Sequence, residues 1–314
     1  MVQHFTSLEG VELSNTWLTI GSFDGIHIGH QQLIHKLNES AHQAKAKSVV
    51  LTFYPHPAVV VRGRSGAFYL TTEAEKAEIL DGLGIDILIT QQFTHELSQS
   101  TARNFIINLR NHLRLQQLWV GQDFALGKGR EGDVEHLKLL GEEFGYRVKL
   151  VEPVMAYGRV VSSSLIRNLI SEGKITEANR LLGRHYQVSG EVVHGDNRGK
   201  KIGIPTANLD TGDEKLIPGA GVYACKAFIF DKQWSAAVNV GIRPTFTSTD
   251  RKSHVEAHLL DFSGDLYTHT LTLEFIERLR GEEKYDSIQD LINQIKLDIN
   301  RTDEIVGAME KTQK

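Results

Sequence analysis

In the first half of the chain, apolar residues gather in short runs separated by amphipathic stretches. Trp17 to Ile20, Ser48 to Phe53, Ile85 to Thr90, Gln117 to Val120 and Arg147 to Val151 each have the length of a buried strand. Between them the period changes. Leu33, Ile34 and Leu37 recur at helical spacing after the first run, and the later gaps are long enough for crossover helices. Start signals agree: Thr72 with Glu75 three residues on reads as a capping box, and Asp133 reads as the cap of a helix through Phe144. The amphipathic segment Ile175 to Leu182 ends at Gly183, which is placed to terminate it.

From Tyr186 the texture becomes that of strands with short turns: Gln187 to Val193, Gly221 to Phe230, Trp234 to Val240, Val255 to Phe262 and His269 to Phe275. Asp231-Lys232-Gln233 and Ser263-Gly264-Asp265 read as hairpin connections. Ser287 with Asp290 caps a helix whose Ile288, Leu291, Ile292 and Ile295 form one apolar face. The pattern predicts a Rossmann-like α/β domain over residues 1–183, followed over 184–314 by a small antiparallel β-barrel with a C-terminal helix.

Composition narrows the function. The chain has 314 residues, enough for two ordinary cores, and a net charge of −4, so there is no basic field to argue for nucleic acid. A single cysteine, Cys225, excludes an intrachain disulfide. No run approaches the roughly 18 apolar residues of a membrane span, and the N-terminus lacks the charged start and apolar core of a signal peptide, which leaves the cytoplasm as the expected location. Self-association is left open. Neither Gly-x-Gly-x-x-Gly after the first strand nor Gly-x-x-x-x-Gly-Lys-Ser/Thr occurs, so phosphates must be handled without either loop.

The candidate chemistry starts at Gly21-Ser22-Phe23-Asp24-Gly25-Ile26-His27-Ile28-Gly29-His30, between a strand and a helix. Glycines there let backbone approach a ligand, and the helix start offers unpaired N–H groups and a positive dipole end to phosphate. His27 and His30, three apart, point the same way, and His-x-x-His is also half of a metal site. Asp24 could orient a histidine or approach a cation. Thr52-Phe53-Tyr54-Pro55-His56-Pro57 is a rigid turn that either aims His56 at a ligand or uses it as a turn residue. Gly121 to Arg130, with Asp123 and Phe124, reads equally as a phosphate or ribityl site and as a solvated loop. Ser162-Ser163-Ser164-Leu165-Ile166-Arg167 opens a helix; its hydroxyls suit a cap, and Ser164 with Arg167 also forms a hydroxyl and guanidinium clamp for a triphosphate. In the second half, Gly195 to Asn208 combines glycines with Lys200 and Lys201 and runs into Pro205-Thr206-Ala207-Asn208. Glu256 shares the alternate face of its strand with His258, Leu260 and Phe262, which suggests an inward or cleft-facing carboxylate.

These motifs carry a resemblance. Gly-x-Phe-Asp-Gly-x-His-x-Gly-His resembles the signature of nucleotidyltransferases and, in this fuller form, the adenylyltransferase half of bacterial bifunctional riboflavin kinase/FMN adenylyltransferases. In that superfamily the turn is paired with a late Ser-Ser-Thr-x-x-Arg segment; this chain has Ser164 at the threonine position. Tyr54 stands where many relatives carry an acidic residue. The stretch from Gly195 through Asn208 resembles the riboflavin kinase loop with its Pro-Thr-Ala-Asn motif. Pro218 to Tyr223, Asn239 to Phe246, Val255 to Phe262 and Arg280 to Tyr285 continue the match.

The resemblance implies phosphorylation of riboflavin to FMN in the C-terminal domain and adenylylation of FMN to FAD in the N-terminal one, with ATP as co-substrate and Mg²⁺ as cofactor. It assigns His27, His30 and Arg167 to adenylyl transfer and Glu256 to the kinase as general base. ATP phosphates fall to Gly21, Phe23, Asp24, Gly29, Ser163 and Ser164 in the first domain, and to Gly195, Lys200, Lys201 and Gly203 in the second. The flavins fall to His56, Asp123, Phe124 and Arg243, and Mg²⁺ to Thr206 and Asn208.

Overall fold

The computed structural model describes residues 2–156, 158–195, 199, 202–243 and 252–312. Lys200 and Lys201 lie outside the described residues, and so does the side chain of Arg243. The chain divides into two compact units, Met1–Ser163 and Ser164–Lys314.

The first unit is built on a six-stranded parallel sheet. Its strands are β1 (Gln3–Phe5), β2 (Thr16–Ile20), β3 (Lys47–Tyr54), β4 (Ile87–Gln92), β5 (Leu115–Gly121) and β6 (Arg147–Val151), in the order β1-β4-β3-β2-β5-β6. The chain leaves β2 in one direction through β3 and β4, then returns to the other side of β2 at β5. The topology therefore switches between β2 and β5, where an open sheet presents a crevice at its carboxyl ends. The turn Gly21–His30 starts there.

Alternation along the strands explains the two cores. Leu18, Ile20, Val49, Leu51, Ile87, Ile89, Leu118 and Val120 point to one face and meet Phe105, Ile106, Leu109, Leu137 and Leu140 of the helices Ala102–Leu113 and Val134–Phe144. Val50, Leu88 and Trp119 point to the other and meet Leu33, Ile34 and Leu37 of α1 (Ile28–Gln43) and Leu80 of the helix Glu73–Gly82. Both expected caps are present: Thr72 and Glu75 form the reciprocal capping box, and Asp133 accepts from His136 N–H at 2.9 Å. The apolar pattern does not reveal the edge strand β1 or the small hairpin of β7 (Met155–Ala156) and β8 (Arg159–Val160). Two or three residues are too few to show a period.

The second unit opens with two helices, Ser163–Ser171 and Ile175–Leu182, the latter closed by Gly183 at φ 69°. The division between compact units thus precedes these helices, whereas the sequence pattern sets the domain boundary after Gly183. The reason lies in what the second helix covers: Asn179 donates to the carbonyl of Phe275 at 2.8 Å and accepts from Tyr186 N–H at 2.7 Å, binding the helix to the barrel.

The barrel closes from six antiparallel strands: β9 (Tyr186–Val193), β10 (Ala207–Asp210), β11 (Gly221–Ile229), β12 (Lys232–Arg243), β13 (Lys252–Leu259) and β14 (Thr270–Arg280), around the circuit β10-β13-β12-β11-β14-β9. Val188, Leu209, Val238, Val240, Val255, Ala257, Leu271 and Leu273 are among its buried residues. The first hairpin turn is Phe230–Asp231, not Asp231 to Gln233. Both residues are left-handed, at φ 53° and 56°, and Lys232 already pairs with Ile229, the geometry in which a two-residue turn matches strand twist. The C-terminal helix Ile288–Thr312 runs past Arg301, where the sequence pattern fades. It packs on β11 and β12, and its buried Asp298 takes a fork of hydrogen bonds from Arg280 of β14.

Asn179 is the sharpest test of this packing. Asn179→Ala should cost about 2 kcal/mol, since it leaves a buried N–H and a buried carbonyl unpaired. Denaturant titration of the full chain would measure the loss in the transition of the second unit.

Candidate functional site

Two clusters of polar side chains stand at the places the sequence points to, one in each unit. In the first, the turn after β2 is a backbone that few sequences tolerate. Phe23, Gly25 and Ile26 all have positive φ, at 44°, 80° and 35°, and two of them are not glycine. Such strain persists only where surrounding contacts over-determine it.

Those contacts come from the loop before the helix Glu73–Gly82, from that helix and from β3. Asp24 is 1% exposed, and its carboxylate accepts from Leu70 N–H at 2.9 Å, Thr71 N–H at 3.1 Å and the Thr71 hydroxyl at 3.3 Å. The Thr71 hydroxyl in turn accepts from Gly25 N–H, and Ser163 donates to the carbonyl of Asp24 at 2.8 Å. On the other side of the turn the Ser22 carbonyl accepts from Thr52 at 3.0 Å and from the ammonium of Lys76 at 2.9 Å. Lys76 is 5% exposed and was missed by sequence reasoning, because a lysine in the first turns of a helix reads as a solvated residue. Burial lowers its pKa, against the opposing influence of Asp24 and Glu73.

This frame sets the histidines. His27 caps α1, its Nδ1 accepting from His30 N–H at 3.3 Å, and the two rings stack with centroids 3.7 Å apart. Phe23 meets His30 edge-on at 5.1 Å. The His30 Nδ1 is buried and has no hydrogen-bond partner among the described residues. Burial, then His27 and Lys76, hold its pKa well below the ordinary histidine value, so the ring is neutral at neutral pH. The glycines serve these rings: a Cβ on Gly21 would press on Phe23, and one on Gly29 would press on His27, each at 3.1 Å.

The neighbouring candidates fall out differently. His56 caps the short helix Pro57–Arg62, its Nδ1 accepting from Ala58 N–H at 3.0 Å, while its own N–H donates to the Tyr69 hydroxyl at 2.8 Å. Asp123 is exposed and its carbonyl accepts from Arg130; Phe124 packs partly against the core. Gly127 of that loop and Gly132 just after it lie against Ala102, so these two glycines answer to close packing. Ser164 is exposed and Arg167 half-buried on the helix Ser163–Ser171, in the second unit.

In the barrel, three polar residues form a row across adjacent strands. Asn208 of β10 lies opposite Glu256 of β13, and Glu256 lies opposite Asn239 of β12. Asn208 is buried, and its carbonyl Oδ1 has no hydrogen-bond partner among the described residues. An orphaned buried amide oxygen fits a hard cation, which prefers oxygen donors. A Cβ on Gly195 would overlap the Asn208 amide, and one on Gly199 would meet the Ile204 carbonyl and approach the Thr206 hydroxyl, so these two glycines lie close against those groups. Gly203 has φ 79° and, among the described residues, nothing near its Cβ position.

Glu256 does not point into the barrel. Val255, Ala257 and Leu259 fill the interior, while Leu260 and Phe262 lie beyond the end of β13, so they do not share its face as the sequence pattern suggests. The carboxylate is half-buried on the outer face and bonded to His254 Nε2 at 2.6 Å. On the same strand His258 donates to the carbonyl of Pro205 at 2.7 Å, tying β13 to the Pro-Thr-Ala-Asn stretch.

Comparison with known proteins shows the family. The FAD synthetase family model matches residues 11–165, and the riboflavin kinase family model matches residues 182–306. The chain belongs to the bifunctional riboflavin kinase/FMN adenylyltransferase family. It is similar to the bifunctional riboflavin kinase/FMN adenylyltransferases of Listeria monocytogenes (34% identity, 94% of each chain), Pseudomonas fluorescens (36%, 90% of each) and Escherichia coli K12 (34%, 90% of each). A solved structure described as a macrolide-efflux protein from Streptococcus pneumoniae has 29% identity and a TM-score of 0.87, over 96% of this chain and 98% of its own. No helix among the described residues is long and apolar enough to cross a membrane.

Because Gly195 leaves no room for a side chain beside Asn208, Gly195→Ala should reduce riboflavin phosphorylation at least tenfold while FAD formation from supplied FMN stays within twofold. Separation of the flavins by chromatography would read both.

Proposed function

We propose that this chain makes FMN from riboflavin and ATP in its barrel, and FAD from FMN and ATP in its α/β domain. The observation that carries the reading is the order of two family matches along one chain, each spanning its own cluster of buried polar groups. Functionally the first domain extends through Gly183, so that Arg167 belongs with the turn; the matched models leave residues 166–181 between them. Both reactions are assigned to the cytoplasm, with small-molecule ligands and neither nucleic acid nor membrane.

In the kinase step the riboflavin 5′-hydroxyl attacks the γ-phosphorus, the bond to ADP breaks, and Glu256 accepts the hydroxyl proton. Glu256 sits beside Asn208, which supports the assignment. Thr206 and Asn208 would hold Mg²⁺, which would neutralise charge on the ATP phosphates. In the adenylyl step a phosphate oxygen of FMN attacks the α-phosphorus of ATP and pyrophosphate leaves. That step needs aligned anions and stabilised charge rather than a covalent nucleophile. The backbone amides at the start of α1, with His27, His30, Ser164 and Arg167, supply the donors. His56, Asp123, Phe124 and Arg243 are assigned to the flavin.

The two activities separate by mutation. His30→Ala or Arg167→Ala should abolish FAD formation while riboflavin is still converted to FMN; undiminished FAD synthesis in both would refute the assignment. Glu256→Gln keeps size and hydrogen bonding without basicity, so it should slow phosphorylation at least 100-fold, yet make FAD from supplied FMN at the parent rate. Thr206→Ala should raise the Mg²⁺ requirement of the kinase step alone, measured by titrating the metal at fixed ATP.

A further inference from the structure

A buried lysine stands directly behind the nucleotide turn, and none of the motifs accounts for it. Lys76 lies in the helix Glu73–Gly82 of the first unit, with its charge almost wholly removed from solvent. Taking an ammonium out of water is costly, and Met or Leu would fill the same space without that cost. The position of its hydrogen bonds gives a reason. Nζ donates at 2.9 Å to the carbonyl of Ser22 and at 3.1 Å to the Thr52 hydroxyl, and the same hydroxyl donates at 3.0 Å to the same carbonyl. Ser22 directly precedes the positive-φ segment Phe23 to Ile26. Lysine, threonine and carbonyl thus form a closed triangle at the start of the strained backbone.

We propose that Lys76 is a positioning residue for adenylyl transfer: it anchors the Ser22 carbonyl so that the turn holds His27 stacked on His30 and Phe23 edge-on to it, with a positive charge behind the anion site. The inference rests on the reading that this turn carries the adenylyl step. Two observations separate it from an ordinary buried lysine. The charge is spent on a backbone carbonyl of the turn rather than closing a surface ion pair. Moreover, the turn is held from two sides, Asp24 tying its middle to Leu70 and Thr71, and Lys76 tying its start to β3. The carboxylates influencing the ammonium are Asp24 and Glu73, with His30 on the side of the site. Removing the ammonium would free the start of the turn while Asp24 still held its middle, so the rings would lose alignment without loss of the fold.

The test uses the full chain with FMN, ATP and Mg²⁺. Lys76→Met keeps the aliphatic stem and removes the charge; it should lower kcat for FAD formation at least 30-fold, with KM for FMN and ATP within threefold of the parent. Riboflavin phosphorylation by the same sample should stay within twofold. A lysine needed only for stability would lower Tm and leave kcat per folded molecule unchanged, and that result in a folded variant overturns the proposal. Should Lys76→Met fail to fold, Thr52→Val decides, because it removes the shared hydroxyl from the triangle. A kcat at least fivefold lower supports the anchoring role; a parent kcat overturns it. His30→Ala is run alongside. If it still makes FAD, the reading of the turn itself has failed; if it is inactive while Lys76→Met is not, only the role of Lys76 has.

Discussion

The N-terminal site depends on a carboxylate that no solvent reaches. Asp24 accepts two backbone N–H bonds and a hydroxyl from a loop far away in sequence, and this closes the turn over the carboxyl end of β2. A carboxylate so placed is costly to bury unless its lone pairs are satisfied, and here they are. Its satisfaction is what lets Phe23 and Ile26 keep a left-handed backbone, which in turn stacks His27 on His30. A residue that reads as a candidate for cation or histidine contact is thereby seen to organise the backbone beneath the histidines.

The barrel site rests on a different constraint, the alternation of a closed sheet. Once Val255, Ala257 and Leu259 fill the interior, Glu256 must face outward, and pairing register alone puts it between Asn208 and Asn239. Three neighbouring strands of the barrel thereby deliver an amide, a carboxylate and a second amide to one row. The bond from His254 holds the carboxylate in place, and that from His258 draws the Pro-Thr-Ala-Asn stretch toward the same strand.

Glycines have unlike roles in the two sites. Gly21 and Gly29 make room for aromatic rings, Gly195 for the Asn208 amide, and Gly25 for a positive φ. Gly127, in a loop that reads equally as a phosphate site and as a solvated loop, and Gly132 just beyond it instead admit the start of the helix Ala102–Leu113. The residue type is the same, but whether the cleared space serves a ligand or a neighbouring element depends on what the fold brings to it.

Much of this was legible without coordinates. The period of apolar positions marked the longer strands and several of the helices, though not the C-terminal helix beyond Arg301, and the capping box at Thr72 and Glu75 and the stop at Gly183 followed from side-chain chemistry local to each helix end. Compound motifs determined the family and the two site regions, because chemistry that needs several residue types at fixed spacing is rarely matched by accident. Segments of two or three residues, such as β1, escaped because a period needs more than one repeat. The outward face of Glu256, the Asn208 row and the buried contacts of Asp24 and Lys76 were decided only by tertiary structure. Each depends on a partner from another element, and a lone charged residue in a sequence carries no mark of what will be packed around it.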